Sequence, residues 1–307
     1  MIKNEPLLSI CIPTYNREKC LKKLLDSIVC QKEFIDTDDV EIIVDDGPSS
    51  DSTESLIKEY IKKFWDKIKY YRNPIRIWMC PAFLEALSLW TGKYLWLMSS
   101  DEFILEDYLS YLLNICWSNN DLIITSIFNW SGDVNKSFND IWNFLWYFGN
   151  LNIPYAKKDY FFSHLTSCCI KKSYYNESYN YLIDNGKVSE QILKENYFNF
   201  NLINIWFLFP WKKIVLIEKE SIDCKYNSGD VSSWNINIKI VFDMVILCRY
   251  LIKNYNLPLS AKKLLRHIQI SWFMLWLISP IRNLLTKFWL INIYNKMANW
   301  FRRIFNI

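Results

Sequence analysis

The amino-acid sequence predicts an α/β fold, in which a mostly parallel sheet is flanked by helices and followed by a helical C-terminal extension. Strand-like apolar runs alternate with helix-like apolar periodicity through residues 1–125, which is typical of a parallel sheet covered on both faces. Turn-forming and acidic residues collect directly after these runs, where α/β sheets bind their ligands. With 51% hydrophobic and 17% aromatic residues, the chain is too apolar to be disordered.

Five apolar runs predict strands, at residues 7–12, 40–44, 68–71, 94–98 and 121–125. After the first run, leucine and isoleucine at positions 21, 24, 25 and 28 share one face of a predicted helix. A second helix face follows at positions 56, 57, 60, 61 and 64, and residues 51–54 resemble the capping box that begins a helix. Beyond residue 130 the alternation fades, and the sequence predicts one more strand at 213–217 and helices at 236–255 and from residue 261.

Three clusters of polar residues follow the predicted strands, at positions 13–17, 45–47 and 99–102. The six glycines of the chain form neither a GxGxxG nor a GxxxxGKS/T motif, which excludes dinucleotide-binding and P-loop phosphate sites. Carboxylates can still bind a diphosphate through a divalent metal ion, which bridges the two sets of oxygens. The acidic clusters therefore favour a metal-assisted phosphate site at this edge of the sheet.

The same clusters resemble those of family 2 glycosyltransferases of the bacterial surface-glycan type, which have the GT-A fold. Residues 8–17, which end in Pro-Thr-Tyr-Asn-Arg, and the Leu-Asp-Ser-Ile at 25–28 resemble the N-terminus of that family. Val-Asp-Asp-Gly at 44–47, followed by Ser-Asp-Ser-Thr at 50–53, resembles its second-strand motif with one extra residue in the turn. Residues 91–98 lead, as in that family, to an acidic cluster, so the resemblance covers about 120 residues.

The resemblance implies that the loops after the first two strands bind the donor nucleotide. Pro13 and Tyr15 would line the base pocket, with the Tyr15 ring stacked on the base, and Arg17 would lie near the diphosphate. Asp46 would accept a hydrogen bond from the base, and Asp45 would belong to the same nucleotide site. Two structural alternatives stay open: Tyr15 as a loop aromatic that caps the core, and the aspartates as a solvated turn pair, since Asp-Gly is a common turn signal.

The third cluster departs from the family pattern of two or three consecutive aspartates, because Ser100, Asp101 and Glu102 stand in their places. The resemblance implies that Glu102, in the last position, coordinates Mg2+ or Mn2+, and that Asp101 contributes to both metal and nucleotide binding. The donor diphosphate would complete the metal's coordination shell, whereas the uncharged Ser100 can only form hydrogen bonds. The alternative is that both acids begin the next helix, where the helix dipole favours negative charge.

The inverting mechanism of the family needs a general base that takes a proton from the acceptor hydroxyl. We expect an aspartate or glutamate in the second half of the chain, with Glu190 as the first candidate and Asp184 as the second. For each of them the alternative is an ordinary surface acid, because neither lies in a clear motif. His164 is a weaker candidate, for which a structural imidazole is the better explanation.

Residues 261–307 carry eight basic residues, no acidic residue and four tryptophans. This combination is typical of a membrane interface, where indole rings lie at headgroup level and cations meet anionic lipid. We therefore predict contact with an anionic membrane surface, and a cytoplasmic protein that is peripheral on the inner face of the cell membrane. The alternative is a pair of helices packed on the catalytic domain. We expect no signal peptide and no nucleic-acid partner, and nine cysteines without a CxxC pair favour a reducing compartment.

The sequence thus predicts a nucleotide-sugar donor-binding half at 1–125, an acceptor-binding half at 126–225 and a basic, aromatic helical region at 226–307. The predicted activity is transfer of a sugar, with inversion, from a UDP- or dTDP-type nucleoside diphosphate sugar to a hydroxyl of a cell-surface or lipid-linked glycan. The alternative is a glycan-binding or scaffold protein on the same fold, in which residues 100–102 are a decayed metal site.

Overall fold

The structure is a computed structural model that describes residues 5–75, 86, 88–126, 135–139, 143–144, 147, 168–184, 213–220 and 222–223, and a few positions between 249 and 266. The chain comprises two compact units, one of Met1–Phe144 with Asn152–Asn227 and the other of Leu145–Leu151 with Ser228–Ile307. All the helices and strands named below belong to the first unit. The predicted division into donor, acceptor and C-terminal regions stays a prediction.

The described elements begin as an alternating series of strands and helices. In chain order these are β1 (Leu8–Thr14), α1 (Glu18–Val29), α2 (Lys32–Asp36), β2 (Val40–Asp46), α3 (Thr53–Lys63) and β3 (Ile68–Arg72). The second series is β4 (Tyr94–Leu97), β5 (Phe103–Ile104), α4 (Tyr108–Trp117), β6 (Leu122–Ser126), β7 (Asn135–Phe138), β8 (Cys168–Lys171), α5 (Lys172–Asp184), β9 (Ile214–Glu220) and β10 (Ile222–Asp223). The six predicted strands are present as β1, β2, β3, β4, β6 and β9, whereas the helices predicted after residue 235 lie almost wholly outside the described residues.

Eight strands form one mixed sheet in the order β3-β2-β1-β4-β8-β6-β9-β7, and β5 pairs with β10 in a second, two-stranded sheet. The strands β3, β2, β1 and β4 run parallel, as predicted. Strand β6 runs in the same direction as these four, as predicted, but it does not pair with β4, because β8 lies between β4 and β6 and runs antiparallel to both. Cys168, Cys169 and Ile170 of β8 are buried in this position, but a run this short gives no strand signal in the sequence.

The parallel register brings the carboxyl ends of four strands to one edge of the sheet. Thr14 at the end of β1 lies in register with Asp46 at the end of β2, and Asp46 lies in register with Arg72 at the end of β3. Leu97 at the end of β4 lies in register with Cys11 of β1. Because β1, β2 and β4 are almost entirely buried, these ends are held by a rigid core.

A buried polar network holds the segment that leads into β4. Glu41 is 4% exposed, and its carboxylate accepts hydrogen bonds from Ser9 Oγ, Lys69 Nζ (2.6 Å) and Thr91 Oγ1 (2.7 Å). Burial opposes ionisation of Glu41, but these hydrogen bonds outweigh it and hold the pKa below its ordinary value. The Gly92 N–H donates to Ser9 Oγ (2.8 Å), where a Cβ would lie 2.7 Å from the same oxygen, so this close approach requires glycine.

Asp51 joins the N-termini of two helices beside this edge. Its carboxylate accepts hydrogen bonds from the backbone N–H of Glu18 in α1 (3.1 Å) and from the N–H and hydroxyl of Thr53 in α3 (3.1 and 2.6 Å). Burial alone would raise the pKa of Asp51, but the bonds from Thr53 and Glu18 lower it on balance. The predicted capping box is incomplete, because Glu54 pairs with Arg72 and Asp51 alone caps the helix.

Candidate functional site

The loops after β1 and β2 are tied together by backbone and side-chain hydrogen bonds. Asn16 adopts a left-handed backbone conformation (φ 51°), which turns its N–H toward Ser49 Oγ (2.8 Å). The Asn16 side-chain oxygen accepts a hydrogen bond from the Ser50 N–H (2.7 Å), and the Gly47 N–H donates to the Thr14 carbonyl (2.9 Å). The two loops are therefore held rigidly together at the carboxyl edge of the sheet. These loops (residues 13–17 and 45–50) and the loop after β4 (residues 99–102) are called the rim below.

The two aspartates at the end of β2 are buried beneath this rim. Asp46 is fully buried, and its carboxylate oxygens accept hydrogen bonds from Ser49 Oγ (2.5 Å) and from the Tyr70 hydroxyl (2.8 Å). Asp45 is 2% exposed, and its Oδ1 accepts a hydrogen bond from Asn73 Nδ2 (2.7 Å). Burial and the bond to Asp46 raise the pKa of Tyr70 above its ordinary value, because both favour the neutral phenol. The solvated turn pair that the sequence left open is therefore wrong, whereas the hydrogen bond from Asp46 to a nucleotide base stays a prediction.

Pro13 and Tyr15, the predicted base-pocket residues, flank the last residue of β1. Pro13 lies within the strand in register with Asp45, and both predicted residues are half-buried. The Tyr15 ring lies beside Gly47, since a Cβ at this glycine would be 3.5 Å from Tyr15 Cδ2. The structure thus brings Pro13 and Tyr15 to the edge where Asp45 lies, and their stacking on a base stays a prediction.

An ion pair spans the rim from the β1 loop to the β4 loop. Arg17 Nη1 lies 3.0 Å from Asp101 Oδ2, and the Ser99 hydroxyl donates to the other carboxylate oxygen of Asp101. The two paired side chains are 35% and 49% exposed, so solvent and ligands can reach them. Arg17 occupies the cap position of α1, but its side chain makes no capping hydrogen bond. The contact therefore joins two residues that were predicted separately to lie at the nucleotide site, and nothing in the sequence indicates that they pair with each other.

Ser100 and Glu102 are buried behind Asp101. They are 1% and 4% exposed, and the Glu102 N–H donates to the Ser99 carbonyl (3.2 Å). The chain continues from Glu102 directly into β5, and α4 begins only at Tyr108, so the alternative that these acids begin a helix is wrong. Strand β10 sets Asp223 in register with Phe103, next to Glu102 in the chain. No pattern in the sequence indicates that Asp223 lies near Glu102, because only the pairing of β10 with β5 brings their backbones together.

The donor atoms at this rim suit a hard divalent cation. Mg2+ is commonly held by one or two carboxylates and completes its shell with phosphate oxygens and water. Asp101 and Glu102 are neighbours in the chain and offer two carboxylates of this kind, of which Asp101 is exposed and Glu102 is 4% exposed. Within the described ranges, no three or more histidine, cysteine or acidic side chains form a complete metal cage. Two carboxylates leave positions in the shell of Mg2+ that the oxygens of a bound diphosphate and water could fill.

The side chains of the predicted general bases lie outside the described residues. Glu190 and His164 lie outside those residues, and Asp184 is described only as the backbone end of α5. Of the basic segment 261–307, only residues 262, 263 and 266 are described; they are helical, and Lys263 and Arg266 are exposed. In the described part of the chain, no helix is both long enough and apolar enough to cross a membrane.

Comparison with known proteins identifies the family. The model for glycosyl transferase family 2 matches residues 9–179, which is more than half of the chain and includes the whole rim. The chain belongs to glycosyl transferase family 2. The predicted resemblance is therefore confirmed, and the family match extends through β8 and most of α5.

Two curated relatives are similar to part of this chain. Abequosyltransferase RfbV of Salmonella typhimurium is 36% identical over 118 residues, which cover 38% of this chain and 35% of that protein. The GalNAc(5)-diNAcBac-PP-undecaprenol beta-1,3-glucosyltransferase of Campylobacter jejuni is 44% identical over 68 residues, which cover 22% of this chain and 20% of that protein. The matched stretches thus span about a third or less of each relative.

Solved structures of low sequence identity confirm the predicted GT-A fold for this family 2 chain. Mannosyltransferase PcManGT from Pyrobaculum calidifontis, in complex with GDP-Man and Mn2+, superposes with a TM-score of 0.58 at 15% identity and covers 97% of this chain and 84% of that one. S. aureus TarS 1-349 in complex with UDP superposes with a TM-score of 0.56 at 17% identity and covers 87% of this chain and 70% of that one.

Proposed function

We propose that this chain is an inverting glycosyltransferase that moves a sugar from a UDP- or dTDP-type nucleoside diphosphate sugar to a hydroxyl of a cell-surface or lipid-linked glycan. The observation that carries the proposal is the arrangement of the rim. Arg17 and Asp101 meet there at 3.0 Å, beside the buried Asp45 and Asp46 at the ends of parallel strands. In this family 2 chain, the rim combines a cation that could contact a diphosphate, carboxylates that could bind a metal, and a rigid sheet edge that could hold the nucleotide base.

The proposed substrates follow the names of the relatives. RfbV is named an abequosyltransferase, and the Campylobacter jejuni relative is named for a glucosyl transfer to an undecaprenol-linked glycan. The TarS and PcManGT structures contain UDP and GDP-Man with Mn2+, respectively. These names support a nucleotide-sugar donor and a lipid-linked or surface glycan acceptor for this chain as a class.

The residues of the rim divide the chemistry of donor activation among them. Asp101 and Glu102 would hold Mg2+ or Mn2+, which would offset the charge that develops on the departing nucleoside diphosphate. Arg17 would add a second positive charge on the same diphosphate, with two N–H groups available to its oxygens. Tyr15 and Pro13 would hold the base at the other end of the nucleotide. Each role uses a side chain at the carboxyl edge of β1 or β4.

Removal of the proton from the acceptor hydroxyl needs a carboxylate on the side of the donor sugar that faces away from the diphosphate. We assign this role to Glu190, with Asp184 as the second candidate. A carboxylate of ordinary pKa serves as a base at neutral pH, because it is ionised there and needs only a hydrogen bond to the acceptor hydroxyl. Single Glu190→Gln and Asp184→Asn variants, assayed for turnover and for donor affinity, separate the candidates, since the base variant loses turnover and keeps its affinity for the nucleotide.

The basic C-terminal segment supports a location for this reaction. We propose that residues 261–307 bind the anionic inner face of the cell membrane, where a lipid-linked acceptor would reside, and that the enzyme is cytoplasmic and peripheral. Lys263 and Arg266 are exposed on helical backbone in this segment, as such a contact requires. Co-sedimentation with anionic vesicles, compared with neutral vesicles at several salt concentrations, tests the proposal. Equal binding to both kinds of vesicle would contradict it.

Calorimetry tests the donor site directly. We expect UDP or dTDP to bind in the presence of Mn2+ and to bind at least about tenfold more weakly in a Glu102→Gln variant, because the metal loses one of its two carboxylates. Glu106→Gln is the matched control, since Glu106 is an exposed acid in the next loop, between β5 and α4, and should leave affinity unchanged. Circular dichroism checks that both variants fold. If UDP, dTDP, GDP and CDP all failed to bind with either metal, the proposed activity would be wrong.

A glycan-binding protein without activity is the second candidate. Ser100 replaces a charged residue of the family pattern, and Arg17 already neutralises Asp101 in this structure. Slow release of free sugar from UDP-sugars and dTDP-sugars distinguishes the two functions, because an active donor site hydrolyses its donor in the absence of an acceptor. Glycan binding without any hydrolysis would favour the binding protein.

A further inference from the structure

A cavity lies at the opposite edge of the sheet from the rim. Its volume is about 560 Å3, which is within the range of small-molecule sites. Its walls include Leu7, Asp39 and Lys93, which immediately precede β1, β2 and β4. Since β1 has seven residues, roughly 20 Å of strand separates this cavity from the rim. The donor site therefore cannot account for it.

Three lysines from two segments of the chain line this cavity. Lys93 precedes β4, Lys171 ends β8, and Lys172 begins the 13-residue helix α5. The backbone fixes their relative positions, because the Lys172 N–H donates to the Lys93 carbonyl (2.8 Å). Lys171 Nζ lies 3.6 Å from Asp121, so Lys93 and Lys172 supply most of the positive charge. The first turn of α5 carries no acidic side chain, and its N-terminal dipole adds to the positive potential.

The rest of the wall is suited to a hydroxyl-rich ligand. Trp117 at the end of α4 is 61% exposed and presents an aromatic face. Ser173 and Asn176 of α5 offer a hydroxyl and an amide, and the carboxylates of Glu5 and Asp39 are acceptors for ligand hydroxyl groups. Two carboxylates would repel a simple anion, but they favour a molecule that has both an anionic group and free hydroxyls.

From this wall we infer that the cavity binds an anionic saccharide. The phosphate or carboxylate of the saccharide contacts Lys172 and Lys93, its sugar ring packs on Trp117, and its hydroxyls donate to Glu5 and Asp39. This inference goes beyond the proposed donor chemistry and does not rest on it, because no residue of the rim lines the cavity. Glycans that carry phosphate and glycans that carry uronic acid both have this chemistry.

Saturation-transfer NMR on the full chain tests the inference, with glucose 1-phosphate and glucuronic acid as the two anionic probes. We expect transfer to the ring protons of at least one probe and none to methyl glucoside, which has no charge. Lys172→Glu should weaken binding about tenfold or more, and Trp117→Ala should reduce transfer to the ring protons. The matched controls are Lys23→Glu, at an exposed lysine of α1, and Trp65→Ala, at a tryptophan that is 77% exposed elsewhere.

Two further variants separate this site from the donor site. Arg17→Ala should leave saccharide binding unchanged and weaken UDP binding. Lys172→Glu should weaken saccharide binding and leave UDP binding unchanged. Phosphorus NMR with inorganic phosphate as a third probe distinguishes a simple anion site, which would bind phosphate as tightly as glucose 1-phosphate. That result would overturn the inference, and so would equal binding of the saccharides by Lys172→Glu and the unaltered chain, or no binding of either anionic saccharide.

Discussion

Replacing Arg17 by alanine separates the structural role of the Arg17–Asp101 pair from its proposed role in donor binding. The two side chains are 35% and 49% exposed, and ion pairs of this exposure contribute about 0–1 kcal/mol to stability. The Arg17 side chain also makes no capping bond to α1. We therefore expect Arg17→Ala to lower the free energy of unfolding by less than about 1 kcal/mol.

The same substitution should have a larger effect on the bound diphosphate. Charge-assisted hydrogen bonds from a guanidinium to phosphate oxygens contribute about 1.5–3 kcal/mol. Their loss corresponds to a weakening of about 10- to 150-fold in the dissociation constant of UDP with Mn2+. In the absence of nucleotide we expect the opposite effect, a gain in affinity for the metal. The reason is that Asp101 loses its cationic partner and becomes available to the metal. Arg17→Ala should therefore bind Mn2+ alone more tightly than the unaltered chain does.

Titration calorimetry with Mn2+ alone and with UDP plus Mn2+ measures both effects, and urea denaturation measures stability. Arg17→Lys keeps the charge but loses the forked geometry, so its UDP affinity should fall between those of the alanine variant and the unaltered chain. Lys19→Ala removes an exposed base of α1 and should change neither affinity. If Arg17→Ala bound UDP as tightly as the unaltered chain, the proposed contact of Arg17 with the diphosphate would be refuted. If it lost several kcal/mol of stability, the argument that an exposed pair contributes little to stability would be refuted.

Three other substitutions test the framework that holds the rim. Glu41→Gln should cost about 2–3 kcal/mol at neutral pH. Because the pKa of Glu41 is lowered in the folded protein, the loss of stability in this variant should shrink as the pH falls from about 4.3 through that lowered pKa. Urea denaturation at several pH values measures the loss. The control Glu59→Gln, at an exposed acid, should show no such loss. Gly92→Ala should cost about 1–3 kcal/mol, since the added Cβ would lie 3.0 Å from the Ser9 nitrogen and 3.1 Å from the Pro6 carbonyl oxygen, and an unchanged melting temperature would contradict this. Tyr70→Phe should cost about 1–2 kcal/mol by leaving one oxygen of the buried Asp46 without its hydroxyl donor, measured by the same denaturation.

The parallel part of the sheet can be predicted from the sequence because its strands are buried on both faces. The strands β1, β2 and β4 read as continuous apolar runs, and the polar residues after them mark the edge where ligands bind. By contrast, β8 depends on contacts that are distant in the chain. Its four residues become a strand only because β4 and β6 flank them on both sides. A local pattern cannot report such pairing.

The candidate site shows the same division between local and distant information. Asp45 and Asp46 can be selected because a strand pattern ends at them, but their burial depends on Tyr70 and Asn73 from the neighbouring strand and the loop after it. The pairing of Arg17 with Asp101 joins loops from two strands, and the sequence alone predicts only that both lie near a diphosphate. Side-chain partners across a sheet edge are therefore the part of the site that needs a structure.

The two ends of β4 offer a last test of how the framework and the chemistry are connected. Gly92 lies just before the strand, in the Glu41 network, and Asp101 lies in the loop that follows it. If the sheet transmits no strain between them, Gly92→Ala should lose stability and still bind UDP with Mn2+ as tightly as the unaltered chain, because the folded fraction remains close to one while several kcal/mol of stability are left. A parallel loss of affinity in the folded variant would show that the close approach of Gly92 to β1 sets the position of the Asp101 loop. In that case affinity changes in any variant of the rim would have to be compared at equal stability before a direct role in donor binding is assigned.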